Sequence, residues 1–256
     1  MIVDSHCHLI YFPDDEVPKV ISRAGQNGVN ILHNICISIG DVPKLLKISS
    51  SYGQVYSSVG VHPLDATIEN GECIKVDELV EFTKDQKVIS IGETGLDFLK
   101  SGNKINQKKS FASHIEASRT TGLPLVIHTR SADDEMIDML KSEMKISAFN
   151  GVMHCFASSK ELAYQSIDLG LYISFSGIIT FKNANLLREI AQNVPRTRVL
   201  VETDSPYLSP EPYRGKKNEP AMVKYVVDCL AELWNEPPEQ VAEITTNNFF
   251  RLFSKL

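Results

Sequence analysis

The chain lacks the features of membrane-bound, disulfide-stabilised and secreted proteins. Its longest apolar runs, such as Val199–Val201, are far too short to cross a bilayer. Its five cysteines form no Cys-x-x-Cys pair, and an odd, scattered set is typical of reduced thiols. The first residues show no basic region followed by an apolar stretch and a cleavage site. We therefore expect no signal peptide and a cytoplasmic location.

An excess of positive charge is also missing. The 26 Lys and Arg residues face 32 Asp and Glu residues, which gives a formal net charge of −6. Proteins that coat nucleic acid carry a basic surface, so the chain is not an obvious duplex binder. The charge balance does not exclude an enzyme that grips a single phosphate locally.

No Pro-, Gly- or Ser-rich linker divides the 256 residues, so we expect residues 1–256 to form one domain. Eight short apolar runs alternate with segments of helical spacing, which indicates a parallel sheet. We predict strands at 2–5, 31–37, 55–61, 88–91, 125–127, 151–153, 171–175 and 199–201, and one of the helices at 106–121. Eight such units predict an α/β fold, the (β/α)8 TIM barrel. A doubly wound open sheet is the alternative, but it usually carries a glycine-rich loop after the first strand, which is absent.

Two histidines come together at the end of the first predicted strand. Because alternate side chains of a strand share a face, His6 and His8 point the same way and Cys7 points away. Two converging imidazoles can hold one divalent cation, or they can simply form hydrogen bonds. The metal interpretation depends on further ligands elsewhere in the chain.

Four more predicted strands end in side chains of the kinds that bind metals. The carboxyl ends of barrel strands surround one mouth, so these side chains should converge there. Each one alone has an ordinary alternative, such as a core histidine or a helix-capping carboxylate. The predicted ligands are His6, His8, Glu93, His128, His154 and Asp204. Six ligands, with carboxylates able to bridge, favour two divalent cations over one.

Other polar residues at the mouth are candidates for contact with a substrate. They are His62, Arg130, Lys182 and Arg214. Arginine offers a planar fork to phosphate oxygens, although surface Arg and Lys side chains are usually only solvated. His33 lies inside a predicted strand and His114 on a predicted helix, so we expect both to be structural.

Two further pairs of residues flank the predicted site. Tyr207 and Tyr213, in or beside a Pro-rich loop, either stack on a base or pack against the barrel itself. Cys7 and Cys155 adjoin ligand histidines, and we expect both to face away as small buried apolar groups. Without cysteine ligands the site suits Zn²⁺, Mn²⁺ or Mg²⁺, and the sequence does not choose among them.

Eight segments of the chain resemble the TatD-type metal-dependent hydrolases and deoxyribonucleases, within the amidohydrolase-like barrels. In chain order they are Asp4-Ser-His-Cys-His8, Gly60-Val-His-Pro63, Ile91-Gly-Glu-Thr-Gly-Leu-Asp97, Val126-Ile-His-Thr-Arg130, His154-Cys-Phe156, Ser176-Gly-Ile-Ile-Thr-Phe-Lys182, Glu202-Thr-Asp-Ser-Pro-Tyr207 and Arg214-Gly-Lys-Lys-Asn-Glu-Pro220. The third and the last two are highly specific in this order. The resemblance implies a divalent-metal site on the six ligands, with Glu93 bridging. It also implies hydrolysis of DNA phosphodiesters, typically from a 3′ end of single strands.

The resulting hypothesis is a 3′–5′ exonuclease or DNA-repair nuclease that acts through a metal-activated water. Asp204 is the expected proton acceptor and Glu93 the shared carboxylate of the two cations. Two alternatives stay open: a hydrolase of an ester or amide, such as an aminoacyl-tRNA ester, and a non-enzymatic metal-binding module. The expected partner is a single-stranded DNA end, with no membrane and no obligate protein partner.

Overall fold

Eight parallel strands form one sheet in the computed structural model, which describes residues 1–66, 73–99 and 103–256. Neighbours in the chain are neighbours in the sheet, in the order β1 to β8. The strands are β1 (Ile2–Cys7), β2 (Val29–Asn34), β3 (Val55–Val59), β4 (Val88–Asp97), β5 (Leu125–Arg130), β6 (Gly151–Met153), β7 (Tyr172–Phe175) and β8 (Val199–Val201). Strand β1 meets the segment that follows β8 through a parallel bridge between Cys7 and Ser205. The predicted (β/α)8 barrel is confirmed.

Helices surround the barrel. They are α1 (Val17–Gln26), α2 (Val42–Ser51), α3 (Val76–Phe82), α4 (Lys104–Thr121), α5 (Asp133–Ile146), α6 (Lys160–Asp168), α7 (Asn185–Asn193), α8 (Val223–Trp234) and α9 (Pro238–Leu252). Helix α4 begins before the predicted residue 106, because the Asn103 side chain caps it and accepts hydrogen bonds from the N–H groups of Ile105 and Asn106. None of the helices in the described part of the chain has the length and apolar character needed to cross a membrane.

The core has an outer and an inner part. The larger cluster of apolar side chains lies between the strands and the helices, and it includes Cys7 of β1. A smaller cluster joins side chains of several strands, such as Val3 and Val126, to Phe249 and Phe253 at the C-terminal end of the chain. Helix α9 lies at the amino end of β1, where the Thr246 hydroxyl donates to the Met1 carbonyl at 3.2 Å. The opposite, carboxyl end of the strands is therefore left for a functional site.

Strands β2 and β3 end earlier than predicted. The sequence suggested ends at residues 37 and 61, whereas the strands end at Asn34 and Val59. Beyond these points backbone N–H groups bond to side chains: Cys36 donates to Ser58 Oγ at 2.9 Å and Val61 to His114 Nε2 at 3.0 Å. At Cys36 and Val61, side-chain acceptors thus replace the carbonyl acceptors of a neighbouring strand.

Strand β4 is longer than predicted and carries Glu93 inside it. The expectation that Glu93 ends this strand was wrong, because pairing with β5 continues to Asp97, opposite Arg130. The register shifts between Gly92 and Thr94, so Glu93 lies at an irregularity in the ladder. Irregularities of this kind re-aim a side chain, and they are frequent beside active sites.

Close contact between two glycines supports this part of the barrel. A Cβ atom built on Gly60 would lie 2.5 Å from the Cα of Gly92. The atoms nearest to this Cβ belong to the backbone of Gly92, which cannot shift as easily as the end of a flexible side chain. A side chain at position 60 therefore fits only if the backbone moves. The backbone that leads into Glu93 therefore requires glycine at position 60.

We predict that Gly60→Ala lowers the melting temperature and disturbs the position of Glu93. Overpacking costs about 1–3 kcal/mol, and each kcal/mol lowers the melting temperature by roughly 2–4 °C in a protein of this size. Gly53→Ala is the matched control, since a Cβ there meets nothing within 4 Å. Thermal denaturation of both variants checks the prediction, and equal melting temperatures would contradict it.

Candidate metal centre

Strand β1 delivers two imidazoles to the mouth of the barrel. The Nε2 atoms of His6 and His8 lie 3.2 Å apart, and both side chains are buried. His8 Nδ1 lies 3.2 Å from the Ile35 carbonyl oxygen, which can only accept, so Nδ1 carries the proton. When the ring is neutral, the lone pair is therefore on Nε2, which faces Asp204.

Glu93 stands between two pairs of histidines. Its Oε2 lies 3.4 Å from His6 Nε2 and 4.0 Å from His8 Nε2. Its Oε1 lies 2.9 Å from His128 Nδ1 and 2.8 Å from His154 Nε2. The residue is only 3% exposed. Each oxygen of this buried carboxylate thus faces a different pair of imidazoles.

Asp204 completes the half of the site that contains the β1 histidines. Its Oδ1 lies 3.3 Å from His8 Nε2 and 3.6 Å from His6 Nε2. The backbone N–H of Asp204 donates to the His6 carbonyl at 2.9 Å, which holds the loop after β8 against β1. The side chain is 16% exposed and lines the cavity at the mouth. Asp204 therefore contacts both the histidine pair and the open space.

Two further carboxylates contact histidine rings at the nitrogens that point away from Glu93. Glu202 Oε1 lies 3.3 Å from His154 Nδ1, and Asp97 Oδ2 lies 3.4 Å from His128 Nε2. Both acids are almost fully buried. A carboxylate on the far nitrogen orients an imidazole and makes it a stronger donor to a cation.

Sequence reasoning did not single out Glu202 and Asp97. Glu202 lies two residues before Asp204, and Asp97 lies four after Glu93, both inside segments that carry the family resemblance. It also passed over Asp4, whose carboxylate accepts hydrogen bonds from the backbone N–H of Thr203 at 2.9 Å and its hydroxyl at 2.6 Å. Burial raises the pKa of Asp4 to about 8. The sequence signal for these acids was their closeness to His6, Glu93 and Asp204.

The pKa shifts of Glu93 and His154 indicate that the buried carboxylates are stabilised by positive charge. Burial by itself would raise the pKa of Glu93, but contacts with His154, His128 and His6 hold it well below its usual range. Burial would lower the pKa of His154, and the charges of Glu93 and Glu202 outweigh it and raise that pKa well above 6.5. The carboxylates therefore either hold protons on the neighbouring histidines or are balanced by a cation. Metal binding exchanges such protons for the charge of the ion.

The spacing of the donor atoms fits a cation. Ligand bonds of about 2.0–2.2 Å set tetrahedral N and O donors about 3.3–3.6 Å apart. Around Asp204 Oδ1, His6 Nε2 and His8 Nε2 the separations are 3.2, 3.3 and 3.6 Å. Other groups of described residues whose donor atoms lie within 4.8 Å of one another include His6 with His8 and Glu93; His6 with His154 and Glu202; and His62 with Glu93 and His128. The predicted ligands could hold a metal on either side of Glu93.

His62 also faces the Glu93 carboxylate, but its proton is on Nε2, whereas that of His8 is on Nδ1. Its Nδ1 accepts a hydrogen bond from the Leu64 N–H at 3.2 Å, so the proton of the neutral ring sits on Nε2. Burial lowers the pKa of His62 to about 4, which keeps the ring neutral at physiological pH. Nε2 lies 3.6 Å from Glu93 Oε1. His62 is thus a hydrogen-bond donor facing the mouth, and its geometry suits a substrate contact better than a metal bond.

A second histidine fixes the turn that carries His62. The ring of His114 on α4 is buried; its Nδ1–H donates to the Ser110 carbonyl at 2.7 Å. Its Nε2 accepts the N–H of Val61 at 3.0 Å. His114 therefore has the structural role that we expected, and it holds Val61, the residue next to His62.

A cavity of about 900 Å³ opens above the cluster. Arg130 lines it, whereas Lys182 and Arg214 lie outside its described lining. Both are exposed, and the Arg214 guanidinium lies 4.0 Å from the centre of the Phe181 ring. Of the three predicted basic contacts, Arg130 is the one brought to the cavity.

Cys155 does not face away from the cavity, which corrects the expectation from strand alternation. It is half-buried, lines the cavity and has its Sγ 3.1 Å from Ser176 Oγ. Strand β6 ends at Met153, and Cys155 has a φ of 42°, so the alternation of a strand does not extend to it. Cys7 is fully buried in the outer core, as expected.

A parallel (β/α)8 barrel with buried histidines and carboxylates at the carboxyl ends of its strands is typical of metal-dependent hydrolases. The chain belongs to the TatD family of metal-dependent hydrolases, because the family model described as TatD related DNase matches residues 3–254. The resemblance inferred from the sequence is confirmed.

Relatives agree along the whole chain. The metal-dependent hydrolase YcfH of Escherichia coli K12 is 39% identical over 257 residues, which cover 98% of this chain and 95% of that protein. YabD of Bacillus subtilis strain 168, also named a metal-dependent hydrolase, is 38% identical and covers 99% of both chains. The crystal structure of YjjV, a TatD homologue of Escherichia coli K12, superposes with a TM-score of 0.88 at 25% identity, over 99% of this chain and 98% of that one.

We predict that His114→Leu disturbs His62, because the buried Val61 N–H loses its acceptor. An unpaired buried donor costs about 1–3 kcal/mol. We expect faster hydrogen exchange at Val61 and shifted ring resonances of His62 in NMR spectra. Ser118→Ala is the matched control on the same helix, since it removes the bond from Ser118 Oγ to the Leu123 carbonyl, away from His62. Unchanged His62 resonances in a folded His114→Leu protein would rule out the positioning role.

Proposed function

We propose that this chain is a divalent-metal-dependent deoxyribonuclease that hydrolyses phosphodiester bonds at the 3′ ends of single-stranded DNA. The observation that carries the proposal is the buried Glu93 carboxylate, whose two oxygens face separate histidine pairs. The description of the matching family model as a DNase supports the choice of substrate. We also propose that residues 1–256 act as one domain built on the single sheet.

Two sets of ligands follow from the contacts of Glu93. One cation, Mg²⁺, Mn²⁺ or Zn²⁺, would be held by His6, His8 and Asp204 with Oε2 of Glu93. The other would be held by His128 and His154 with Oε1. Divalent cations there supply Lewis-acid charge and bring the pKa of water from about 15.7 to near 7.

Residues of the protein accept the proton of the attacking water and bind the phosphate oxygens. Asp204 accepts the proton of the attacking water, since it touches the β1 histidines and is open to the cavity. The water oxygen forms a bond to phosphorus while the bond from phosphorus to the leaving sugar oxygen breaks, and that oxygen takes up a proton from solvent to become a hydroxyl. His62 donates its Nε2 hydrogen to a phosphate oxygen, and Arg130 pairs with another.

Lys182 and Arg214 have a more distant role in this proposal. They lie outside the described lining of the cavity, so they would meet phosphates further along the strand. Such contacts are exposed, and they change affinity more than the rate of the chemical step.

The proposed function is tested by assaying the purified protein on end-labelled single-stranded DNA and on an aminoacyl ester, each with and without EDTA. We expect loss of nucleotides from the 3′ end, abolished by EDTA and restored by added Mg²⁺, Mn²⁺ or Zn²⁺. The ester should remain intact. Cleavage of the ester with no cleavage of DNA would replace the proposal with the alternative hydrolase.

We predict that Asp204→Asn lowers the turnover of single-stranded DNA by about 10²–10⁴-fold, because the proton acceptor is lost. The amide can still offer an oxygen ligand, so part of the metal binding should survive in isothermal titration calorimetry. Asp65→Asn is the matched control, the same substitution at another residue of the cavity wall. Near-normal turnover in Asp204→Asn would remove Asp204 from this role.

A further inference from the structure

Two aromatic rings stand exposed at the edge of the cavity. Among the exposed large apolar side chains of the described residues, Tyr11 and Tyr207 are the two that line it. Tyr11 is 37% exposed and Tyr207 is 53% exposed. Apolar faces of this size on a cavity wall are candidates for contact with a ligand.

The two tyrosines lie directly beside the candidate metal centre. The ring centroid of His8 lies 5.5 Å from that of Tyr11 and 6.4 Å from that of Tyr207. The two tyrosine rings are 6.1 Å apart and inclined at 64°, so Tyr11 supports Tyr207 edge to face. A group stacked on Tyr207 would therefore lie next to the proposed reaction centre.

Tyr213, in the same region of the chain, has a different environment. Its hydroxyl accepts a hydrogen bond from the Tyr225 hydroxyl at 3.1 Å, and the ring centroids lie 5.2 Å apart. Tyr213 is therefore engaged by α8. Of the two tyrosines that the sequence left open, Tyr207 is the one at the cavity.

The charge of the cavity wall also favours a stacking contact. Its described lining contains four carboxylates, those of Asp65, Glu93, Asp97 and Asp204, and a single arginine, Arg130. Proteins that bind single strands usually combine a positively charged groove with aromatic stacking platforms. Apart from the cations proposed above, Arg130 is the one Arg or Lys side chain on this described wall, so a stacking contact would add to the grip on a strand end.

We propose that Tyr207, supported by Tyr11, is a stacking site for the nucleobase next to the phosphate that is cleaved. This inference rests on the proposed function and names the part of the substrate that the cavity recognises besides its phosphate. A base in a duplex is stacked on both neighbours and paired, so it cannot lie on Tyr207 until it is freed. The site thus selects unpaired ends, and it tolerates any base because every base has a flat face.

The test compares two oligodeoxynucleotides that differ only in the base of the nucleotide at the cleaved end, one intact and one abasic. Stacking of one base corresponds to roughly 5- to 150-fold in affinity. We expect the native protein to prefer the intact strand by a factor in this range in kcat/KM. In Tyr207→Leu this preference should fall toward one, and Tyr207→Phe should restore it, because the ring is kept.

Tyr213→Leu is the matched control and should keep the native preference, since that ring packs on Tyr225. A preference that is absent in the native protein, or that survives in Tyr207→Leu, would overturn the proposal. A second measurement does not depend on hydrolysis: a short strand with terminal 2-aminopurine is titrated with protein in EDTA. Quenching of its fluorescence by the native protein and the Phe variant, but not the Leu variant, supports stacking.

The two proposals can fail separately. If no oligonucleotide is cleaved yet the 2-aminopurine is quenched through Tyr207, the deoxyribonuclease proposal fails and the stacking site stands. If DNA is cleaved but the terminal base makes no difference to rate or fluorescence, the stacking site fails and the nuclease stands.

Discussion

Glu93 holds a negative charge at a position that is almost sealed from water, and five imidazoles surround it: His6, His8, His62, His128 and His154. A buried carboxylate is costly unless it is paired, so the ends of β1, β3, β5 and β6 must all meet at this point. The irregularity of β4 at Glu93 and the contact of Gly60 with Gly92 place the carboxylate there. The shape of the mouth follows from this one electrostatic requirement.

The residues that support the cluster act mainly on orientation. Asp4 ties β1 to the backbone of the loop that carries Asp204, and Glu202 and Asp97 lie against the far nitrogens of His154 and His128. His114 does the same for the turn of His62, through a backbone hydrogen bond. Donor atoms are thereby set at distances suited to a cation before any ion arrives, which reduces the reorganisation needed on binding.

Sequence reasoning could bring the candidate histidines and carboxylates to one mouth because barrel geometry is simple: residues that follow a strand lie at the mouth. It correctly placed His6 and His8 on one side, where their Nε2 atoms lie 3.2 Å apart. It failed where the backbone departs from the strand, at Glu93 inside β4 and at the positive φ of Cys155. It also could not rank Arg130 above Lys182 and Arg214, or Tyr207 above Tyr213. Those distinctions depend on loop conformation, which has no periodic pattern in the sequence.

Family membership defines a metal-dependent hydrolase. We propose that the groups around the cavity determine which substrate is chosen. The central claim is that Glu93 is shared between two cations. Anomalous scattering from crystals soaked in Mn²⁺ tests it most directly. We predict two peaks, one beside Oε2 with His6, His8 and Asp204, and one beside Oε1 with His128 and His154. A single peak, or a peak on the alternative group of His6, His154 and Glu202, would contradict it.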